Sequence, residues 1–129
     1  MATVDNELLQ AACEAGRKAY VPYSKYTVGV AARTESGKTI VGCNVENSSY
    51  GLTLCAECAL VSNLYLQEAG KITEFVCVNA DSEVITPCGR CRQLLFEHSI
   101  RGVTKIWVKA DVCIMPDDLV PYAWDALIN

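Results

Sequence analysis

The chain has 129 residues, of which 51% are apolar and 20% are charged. This composition is typical of a compact folded domain and excludes an intrinsically disordered chain. The net charge of −4 and the pI near 4.9 argue against a surface that coats nucleic acid, and no apolar run approaches the roughly 20 residues that span a bilayer. We therefore expect a single domain over residues 1–129, with neither nucleic acid nor a membrane as a partner.

The first half of the chain predicts a helix followed by a β-hairpin. Apolar residues recur with a helical period over 6–20. Pro22 ends this helix, because proline has no amide hydrogen to donate and restricts the residue before it. Two segments rich in β-forming residues, 26–32 and 39–44, flank a turn that contains Gly37, and this arrangement predicts a hairpin.

The second half of the chain alternates helices with strands. Residues 55–69 are apolar on most sides and predict a buried helix, and residues 88–98 predict another. Short apolar runs at 75–80 and 103–109 predict two strands, and 115–119 predicts a short final helix. This order of elements predicts an α/β fold, a three-layer α/β/α sandwich with a central mixed β-sheet.

The eight cysteines fall into two groups. Four stand alone in apolar segments and are expected to be small core residues; they are Cys13, Cys43, Cys77 and Cys113. The other four form two C-x-x-C pairs, Cys55 with Cys58 and Cys88 with Cys91. The polar, acidic N-terminal segment does not resemble a signal peptide. We therefore expect a cytoplasmic protein, whose thiols stay reduced.

The two cysteine pairs are compatible with two kinds of zinc site. Four thiolates would form a structural zinc module that binds a partner, which is the usual meaning of such pairs. Three thiolates would leave the fourth coordination position open, as in catalytic sites. The pairs are separated by 29 residues, more than the roughly 15–20 residues of the common structural pattern. Both pairs also lie at predicted helix starts, and the three-ligand interpretation is therefore favoured.

Residues at the two helix starts suit catalysis with zinc. The free N–H groups and the positive dipole end of a helix stabilise thiolates, so the pKa values of Cys55, Cys88 and Cys91 are expected to be lowered. Glu57 follows Cys55 by two residues and could exchange a proton with metal-bound water as a general acid/base. Considered without the cysteines, Glu57 would be an ordinary first-turn glutamate.

Four segments distributed along most of the chain form a set: 21–26 (VPYSKY), 42–47 (GCNVEN), 55–57 (CAE) and 87–93 (PCGRCRQ). Together they resemble the small zinc-dependent cytidine deaminases with three zinc cysteines, which belong to the cytidine deaminase-like superfamily. The resemblance implies that family's fold.

The resemblance also implies roles for the residues of these motifs. Cys55, Cys88 and Cys91 would bind one Zn²⁺ per subunit. Glu57 would carry a proton from metal-bound water to the ring nitrogen N3 and later to the leaving ammonia.

Further residues are implied as substrate contacts. Asn44 and Glu46 resemble the pair that hydrogen-bonds the ribose, and an amide with a carboxylate can together recognise a 3′-hydroxyl. The backbone of Ala56 would contact the pyrimidine carbonyl, and Tyr26 would lie near the nucleoside. Taken without the zinc motif, Asn44 and Glu46 would be routine polar residues at a strand end.

Two aromatic residues are implied to take part in assembly. Trp124 resembles a C-terminal aromatic residue that reaches a neighbouring subunit's base, and Tyr50 falls near subunit contacts. Tyr26 and Trp124 could equally be core or interface aromatics. The resemblance implies a homotetramer with shared active sites.

The chain departs from the family pattern at Cys58, where the family commonly has arginine directly after the Cys-Ala-Glu triplet. That arginine would offset the negative charge of the thiolates. We expect Cys58 to be a protonated thiol beside the ligands, with Arg90 or Arg92 supplying part of the missing charge.

The predicted function is hydrolytic deamination of cytidine and 2′-deoxycytidine to uridine and 2′-deoxyuridine, a reaction of pyrimidine salvage. One alternative is a deaminase of an aminopyrimidine-bearing antibiotic, although Asn44 and Glu46 favour a nucleoside. Another is a polynucleotide deaminase, which the acidic pI disfavours. His98, the single histidine, is predicted to cap a helix C-terminus rather than to act in catalysis.

Overall fold

The computed structural model describes residues 2–127. Its helices are α1 (Asn6–Gly16), α2 (Ala56–Leu66), α3 (Gly89–Glu97) and α4 (Pro116–Leu119). Its strands are β1 (Gly29–Thr34), β2 (Thr39–Cys43), β3 (Ile72–Val78), β4 (Lys105–Lys109) and β5 (Val112–Ile114). A single 3₁₀ turn at Tyr50–Leu52 precedes α2. No helix within residues 2–127 is both long and apolar enough to cross a membrane.

The strands of the described residues form one mixed sheet in the order β2-β1-β3-β4-β5. The predicted hairpin is β1–β2, in which Gly29 lies opposite Cys43. β1 also pairs antiparallel with β3, and β4 pairs antiparallel with β5. β3 and β4 are parallel, and their connection passes through α3. The mixed sheet expected from the order of elements is confirmed.

Helices cover both faces of the sheet, which confirms the three-layer sandwich. On one face, α1 buries Leu8 and Ala12 against Val76 and Trp107 of the sheet. On the other face, α2, α3 and α4 contribute to a second core that also contains strand residues; it includes Leu60, Leu64, Phe75, Leu95, Ile106 and Leu119. The metal-ligand candidates begin the two helices α2 and α3 on this second face.

Three local predictions are corrected by the structure. The helix predicted over 55–69 is buried on one side only, since Tyr65 and Leu66 are exposed; a helix on a sheet covers its apolar surface with one face. Cys113 is exposed rather than part of the core, because it lies on β5 at the edge of the sheet. β5 itself is three mostly exposed residues, too short and too exposed to give a periodic signal.

The first predicted helix and strand are also shorter than expected. α1 ends at Gly16 and β1 begins at Gly29, and residues 17–28 between them form turns and extended backbone. The backbone of Tyr20 exchanges hydrogen bonds with Asn44 and Glu46, at 3.1 Å and 2.8 Å. This segment is therefore fixed against the end of β2, beside the cavity described below.

Two strand glycines allow the helices to approach the sheet closely. A Cβ atom on Gly42 would lie 2.7 Å from the amide nitrogen of Leu60 and closer still to the carbonyl oxygen of Ala56. A Cβ atom on Gly29 would lie 2.6 Å from the amide nitrogen of Gly16. Gly42 thus sets the position of the first turn of α2, and Gly29 sets that of α1.

Candidate metal centre and active site

The first turns of α2 and α3 bring three cysteines together. Cys55 and Cys88 directly precede the two helices with extended backbone, at φ −65°, ψ 153° and φ −65°, ψ 165°. Cys91 lies one turn into α3. The three Sγ atoms lie within 4.8 Å of one another. We call Cys55, Cys88 and Cys91 the three-thiol cluster.

The spacing of the three-thiol cluster fits zinc. Tetrahedral zinc with Zn–S bonds of about 2.3 Å places its sulfur ligands roughly 3.8 Å apart. The Sγ atoms of Cys55 and Cys88 are 3.9 Å apart. Three thiolates are also a donor set that zinc prefers, so the cluster could hold a zinc ion with its fourth position open.

Cys58 does not belong to the three-thiol cluster. Its Sγ accepts a hydrogen bond from Nη2 of Arg90 at 3.3 Å, and its amide donates to the carbonyl of Cys55 at 3.0 Å. The geometry therefore disfavours a four-thiolate structural module. Arg92 lies elsewhere: its Nε donates to the carbonyl of Pro87 at 3.0 Å and so supports the loop before Cys88.

The pKa values of the cluster thiols shift in different directions. Burial raises the pKa of both Cys55 and Cys91. The nearby Cys88 raises the pKa of Cys55 further, and the charge of Glu57 raises that of Cys91 further. Burial also acts on Cys88, yet hydrogen bonds from the Cys91 amide and the neighbouring thiols leave its pKa lowered. In the metal-free chain, lowered pKa values are therefore not found for Cys55 and Cys91, and burial is the largest cause.

Glu57 is a buried carboxyl next to the cluster, with only 3% of its surface exposed. Burial raises the pKa of Glu57, and the opposing effects of a hydrogen bond with Cys91 and of the positive charge of Arg90 are smaller. A carboxyl whose pKa is shifted toward neutrality exchanges protons readily near neutral pH, which suits a general acid/base.

A small cavity of about 140 Å³ opens beside the cluster, less than the roughly 300–1,000 Å³ of typical small-molecule sites. Its walls come from the end of β1–β2, the loop before α2 and the loop before α3. The lining residues are Val28, Asn44, Thr53, Leu54, Cys55, Ala56, Glu57, Cys77, Thr86, Pro87 and Cys88. The structure thus brings Cys55, Cys88, Glu57, Ala56 and Asn44 to one cavity.

Asn44 and Glu46 act on the loop that precedes β1. Oδ1 of Asn44 accepts from the amide of Val28 at 2.9 Å, and its Nδ2 donates to the carbonyl of Tyr26 at 3.0 Å. The buried carboxylate of Glu46 accepts from the amides of Tyr23 and Ser24, both at 3.1 Å. Hydrogen bonding, chiefly from Ser24, lowers the pKa of Glu46. The sequence predicted that both side chains contact the substrate, but it did not predict their hydrogen bonds to this loop.

Four predicted contact residues lie outside the cavity lining, namely Glu46 and three aromatic residues. Tyr26 is about half exposed, and Tyr50 and Trp124 are 72% and 69% exposed. The carbonyl of Trp124 accepts a hydrogen bond from Nε2 of Gln93 on α3 at 3.1 Å, which ties the C-terminal segment to the helix that carries Cys91. Within this one chain the structure does not bring these aromatics to the cavity.

Thr53 is a lining residue that sequence reasoning missed. Its hydroxyl oxygen is buried and has no hydrogen-bond partner among the described residues. A buried hydroxyl without a partner costs about 1–3 kcal/mol, so Thr53 is an unsatisfied polar residue in the wall of the cavity. The only signal in the sequence was its position two residues before Cys55.

Comparison with known proteins identifies the family. The profile of the family described as "Cytidine and deoxycytidylate deaminase zinc-binding region" matches residues 2–106. A cytidine deaminase of Mycobacterium tuberculosis is 50% identical over 99 residues, which are 76% of this chain and 74% of that protein. The crystal structure of cytidine deaminase from Mycobacterium tuberculosis superposes with a TM-score of 0.88 at 45% identity, covering 95% of this chain and 98% of that one.

A further solved structure, cytidine deaminase from Mycobacterium leprae, has a TM-score of 0.85 at 42% identity and covers 90% of this chain and 96% of that one. The profile match spans both helix starts and therefore all of the three-thiol cluster. The fold, the cluster and the sequence relationships agree, and the chain belongs to the zinc-binding cytidine and deoxycytidylate deaminase family.

Proposed function

We propose that this chain catalyses the hydrolytic deamination of cytidine and 2′-deoxycytidine to uridine and 2′-deoxyuridine, with one zinc ion per subunit. The observation that carries the proposal is the three-thiol cluster, with Sγ atoms within 4.8 Å of one another, beside the buried carboxyl of Glu57 at a cavity. The relatives named cytidine deaminase, 50% identical in one case, support the choice of substrate.

The proposed mechanism uses the cluster and Glu57. Cys55, Cys88 and Cys91 would hold zinc, which when bound would supply a Lewis acid that makes water acidic at neutral pH. Glu57 accepts one proton released by the water and delivers it to N3 of the pyrimidine. It then accepts the second proton, from the hydroxyl formed at C4, and delivers it to the departing amino group, which leaves as ammonia. One water and one cytidine thereby give one uridine and one ammonia.

Two of the proposed substrate contacts line the cavity, and two come from the family resemblance. Asn44 and the backbone of Ala56 line the cavity, where they would meet the ribose and the pyrimidine carbonyl. Glu46 would act beside Asn44 on the ribose while it holds the loop. Tyr26 would contact the nucleoside from the edge of the cavity.

We also propose a homotetramer in which subunits share their active sites. The large exposed side chains of Tyr50, Leu52 and Trp124 support it, because extensive apolar exposure commonly marks an interaction surface. Trp124 would then reach a neighbouring subunit's nucleoside. We propose further that residues 1–129 form one deaminase domain that acts in the cytoplasm, a location suited to its free thiols.

The experiment follows the ultraviolet absorbance of cytidine, 2′-deoxycytidine and cytosine as they meet purified zinc-loaded protein. We expect turnover of the two nucleosides, its loss on chelation and its return with added zinc. Glu57→Gln should remain folded and zinc-loaded, with turnover reduced by about 10²–10⁴-fold or more.

Cys58→Ala is the matched variant that separates the enzyme from a structural module. It should keep its zinc, whereas a four-thiolate site would release it. The proposal is refuted if the zinc-loaded protein turns over none of the three compounds, or if Glu57→Gln keeps full activity.

A further inference from the structure

Residues 121–127 form a C-terminal arm that follows α4 and folds back onto α3. Leu119, at the end of α4, is buried in the second core. Tyr122 then has a positive φ of 56°, a left-handed backbone conformation that non-glycine residues rarely adopt, and it lies in a turn. Beyond this turn, the carbonyl oxygen of Trp124 accepts a hydrogen bond from Nε2 of Gln93 on α3 at 3.1 Å.

This hydrogen bond is the main attachment of the C-terminal arm. Among residues 2–127, it is the only hydrogen bond that joins the arm to the rest of the chain. Ala123 and Asp125 are partly covered, and the other residues of the arm are exposed. An exposed segment with so few contacts opens easily, and the bond from Gln93 therefore largely sets how well the arm is ordered.

The arm carries an exposed tryptophan. Of the two tryptophans in the chain, Trp107 is buried in the core, whereas Trp124 is mostly exposed. A large apolar ring with one N–H donor is typical of binding positions, because it offers a broad contact area at a small cost in conformational entropy. That advantage is kept only where the backbone of the residue is itself held in place.

Gln93 lies on the helix that carries two of the three cluster thiols. It follows Cys91 by two residues, but its side chain is exposed and its hydrogen bond goes to the arm. The bond therefore ties the backbone of Trp124 to the helix that begins at the metal centre, while the indole ring stays exposed to contact another molecule.

We propose that Gln93 is a positioning residue, which orders the C-terminal arm and so presents Trp124 to the nucleoside bound in a neighbouring subunit. The inference rests on the proposed function and on the proposed tetramer, which place Trp124 at that nucleoside. Gln93 acts only through the carbonyl group of Trp124. Losing the hydrogen bond should therefore weaken nucleoside binding and leave the chemical step unchanged.

The first measurement is the fluorescence anisotropy decay of Trp124 in Trp107→Phe protein, where Trp124 is the single tryptophan. Gln93→Met keeps the length and neutrality of the side chain but has no N–H to donate, so the fast motion of the indole should increase. Gln93→Lys retains a donor and should restore part of the order. Gln10→Met is the matched control, since Gln10 is exposed on α1, on the other face of the sheet.

The second measurement is the steady-state kinetics of cytidine deamination by zinc-loaded protein that retains Trp107. Gln93→Met should raise KM about 2–10-fold, the factor that corresponds to one neutral hydrogen bond, and should change kcat by less than about twofold. Trp124→Ala should raise KM further. In the double variant, the change at Gln93 should add nothing to the effect of Trp124→Ala, because it acts through that residue.

The inference is overturned if the anisotropy of Trp124 in Gln93→Met equals that in Gln10→Met, or if the effect of Gln93→Met on KM persists in the double variant. A fall in kcat or in zinc content would also overturn it, because such a change reports damage to α3 itself. Failure of the proposed function is a separate result. A zinc-loaded wild-type protein that deaminates no nucleoside would refute that function, whereas the anisotropy comparison would still decide whether Gln93 orders the arm.

Discussion

Replacing Gly42 by alanine tests whether the β2–α2 contact holds the metal centre in place. Gly42 is buried in β2 and its φ is not positive. Alanine can therefore adopt the same backbone conformation, and any effect of the substitution comes from the contacts of its methyl group. That methyl group would lie 2.7 Å from the amide nitrogen of Leu60. The first turn of α2, with Cys55 at its start, must therefore move away from the sheet.

The size of this movement follows from the contact distances. Real Cβ atoms almost never come closer than 3.0 Å to another heavy atom, and the approach to the carbonyl of Ala56 is tighter than that to Leu60. The helix start must shift by several tenths of an ångström, whereas metal–ligand distances tolerate only about 0.2 Å. We expect zinc affinity to fall about 10–100-fold and the metal-free protein to lose about 1–3 kcal/mol of unfolding free energy.

Gly29→Ala is the control for overpacking alone. Its methyl group would lie 2.6 Å from the amide nitrogen of Gly16 and closer still to the carbonyl oxygen of Ala12. This collision is at least as severe as that at Gly42, but it is with α1, on the opposite face of the sheet from the cluster. It should cost a similar 1–3 kcal/mol while changing zinc affinity by less than about threefold.

The assay measures thermal unfolding of both metal-free variants and, separately, zinc affinity by chelator competition. The two measurements must be separate because bound zinc itself raises the Tm by mass action. Equal zinc affinities for Gly42→Ala and Gly29→Ala at equal destabilisation would show that the β2–α2 contact does not position Cys55.

Two further outcomes follow from the hydrogen bonds around the site. Glu46→Ala should speed amide exchange at Tyr23 and Ser24, since both amides lose a shared acceptor. Glu46→Gln keeps an oxygen acceptor and should preserve most of the protection, and equal exchange in both variants would contradict the role of Glu46. Burial lowers the pKa of His98, so the folded protein takes up this proton at lower pH than the unfolded chain, whose pKa is about 6.5. The unfolding free energy should therefore fall as the pH drops below about 6.5, and His98→Gln should flatten urea-measured stability between pH 7.5 and 5; an unchanged slope would contradict this account.

The sequence predicted most successfully those contacts whose residues lie close together in the chain. Cys88 and Cys91 are one helical turn apart, so their proximity follows from the helix itself. The alternation of apolar segments likewise predicted the sheet and its covering helices. The role of Glu46 was not accessible in this way, because its partners, Tyr23 and Ser24, lie more than 20 residues away and no local pattern pairs them.

His98 shows how a local rule can be outweighed by packing. Its position at the end of a helix predicted a partial positive charge that would suit the helix dipole. In the structure, Nδ1 of His98 lies 2.6 Å from the hydroxyl of Tyr65, and burial lowers the pKa of His98, which disfavours the cation. His98 is the C-terminal cap residue of α3, as predicted, but its ring contacts Tyr65 of α2 and its burial works against the predicted positive charge.

Cys58 shows most clearly what the chain alone could not predict. Cys55–Cys58 and Cys88–Cys91 have the same local geometry, an extended residue before a helix and a residue in its first turn. The second cysteine joins the three-thiol cluster only in α3, where Cys91 is buried. In α2, the Gly42 contact fixes the first turn against β2, and Cys58 faces Arg90 instead. Two identical motifs therefore have different surroundings because the helices pack differently on the sheet, and this difference keeps Cys58 out of the three-thiol cluster.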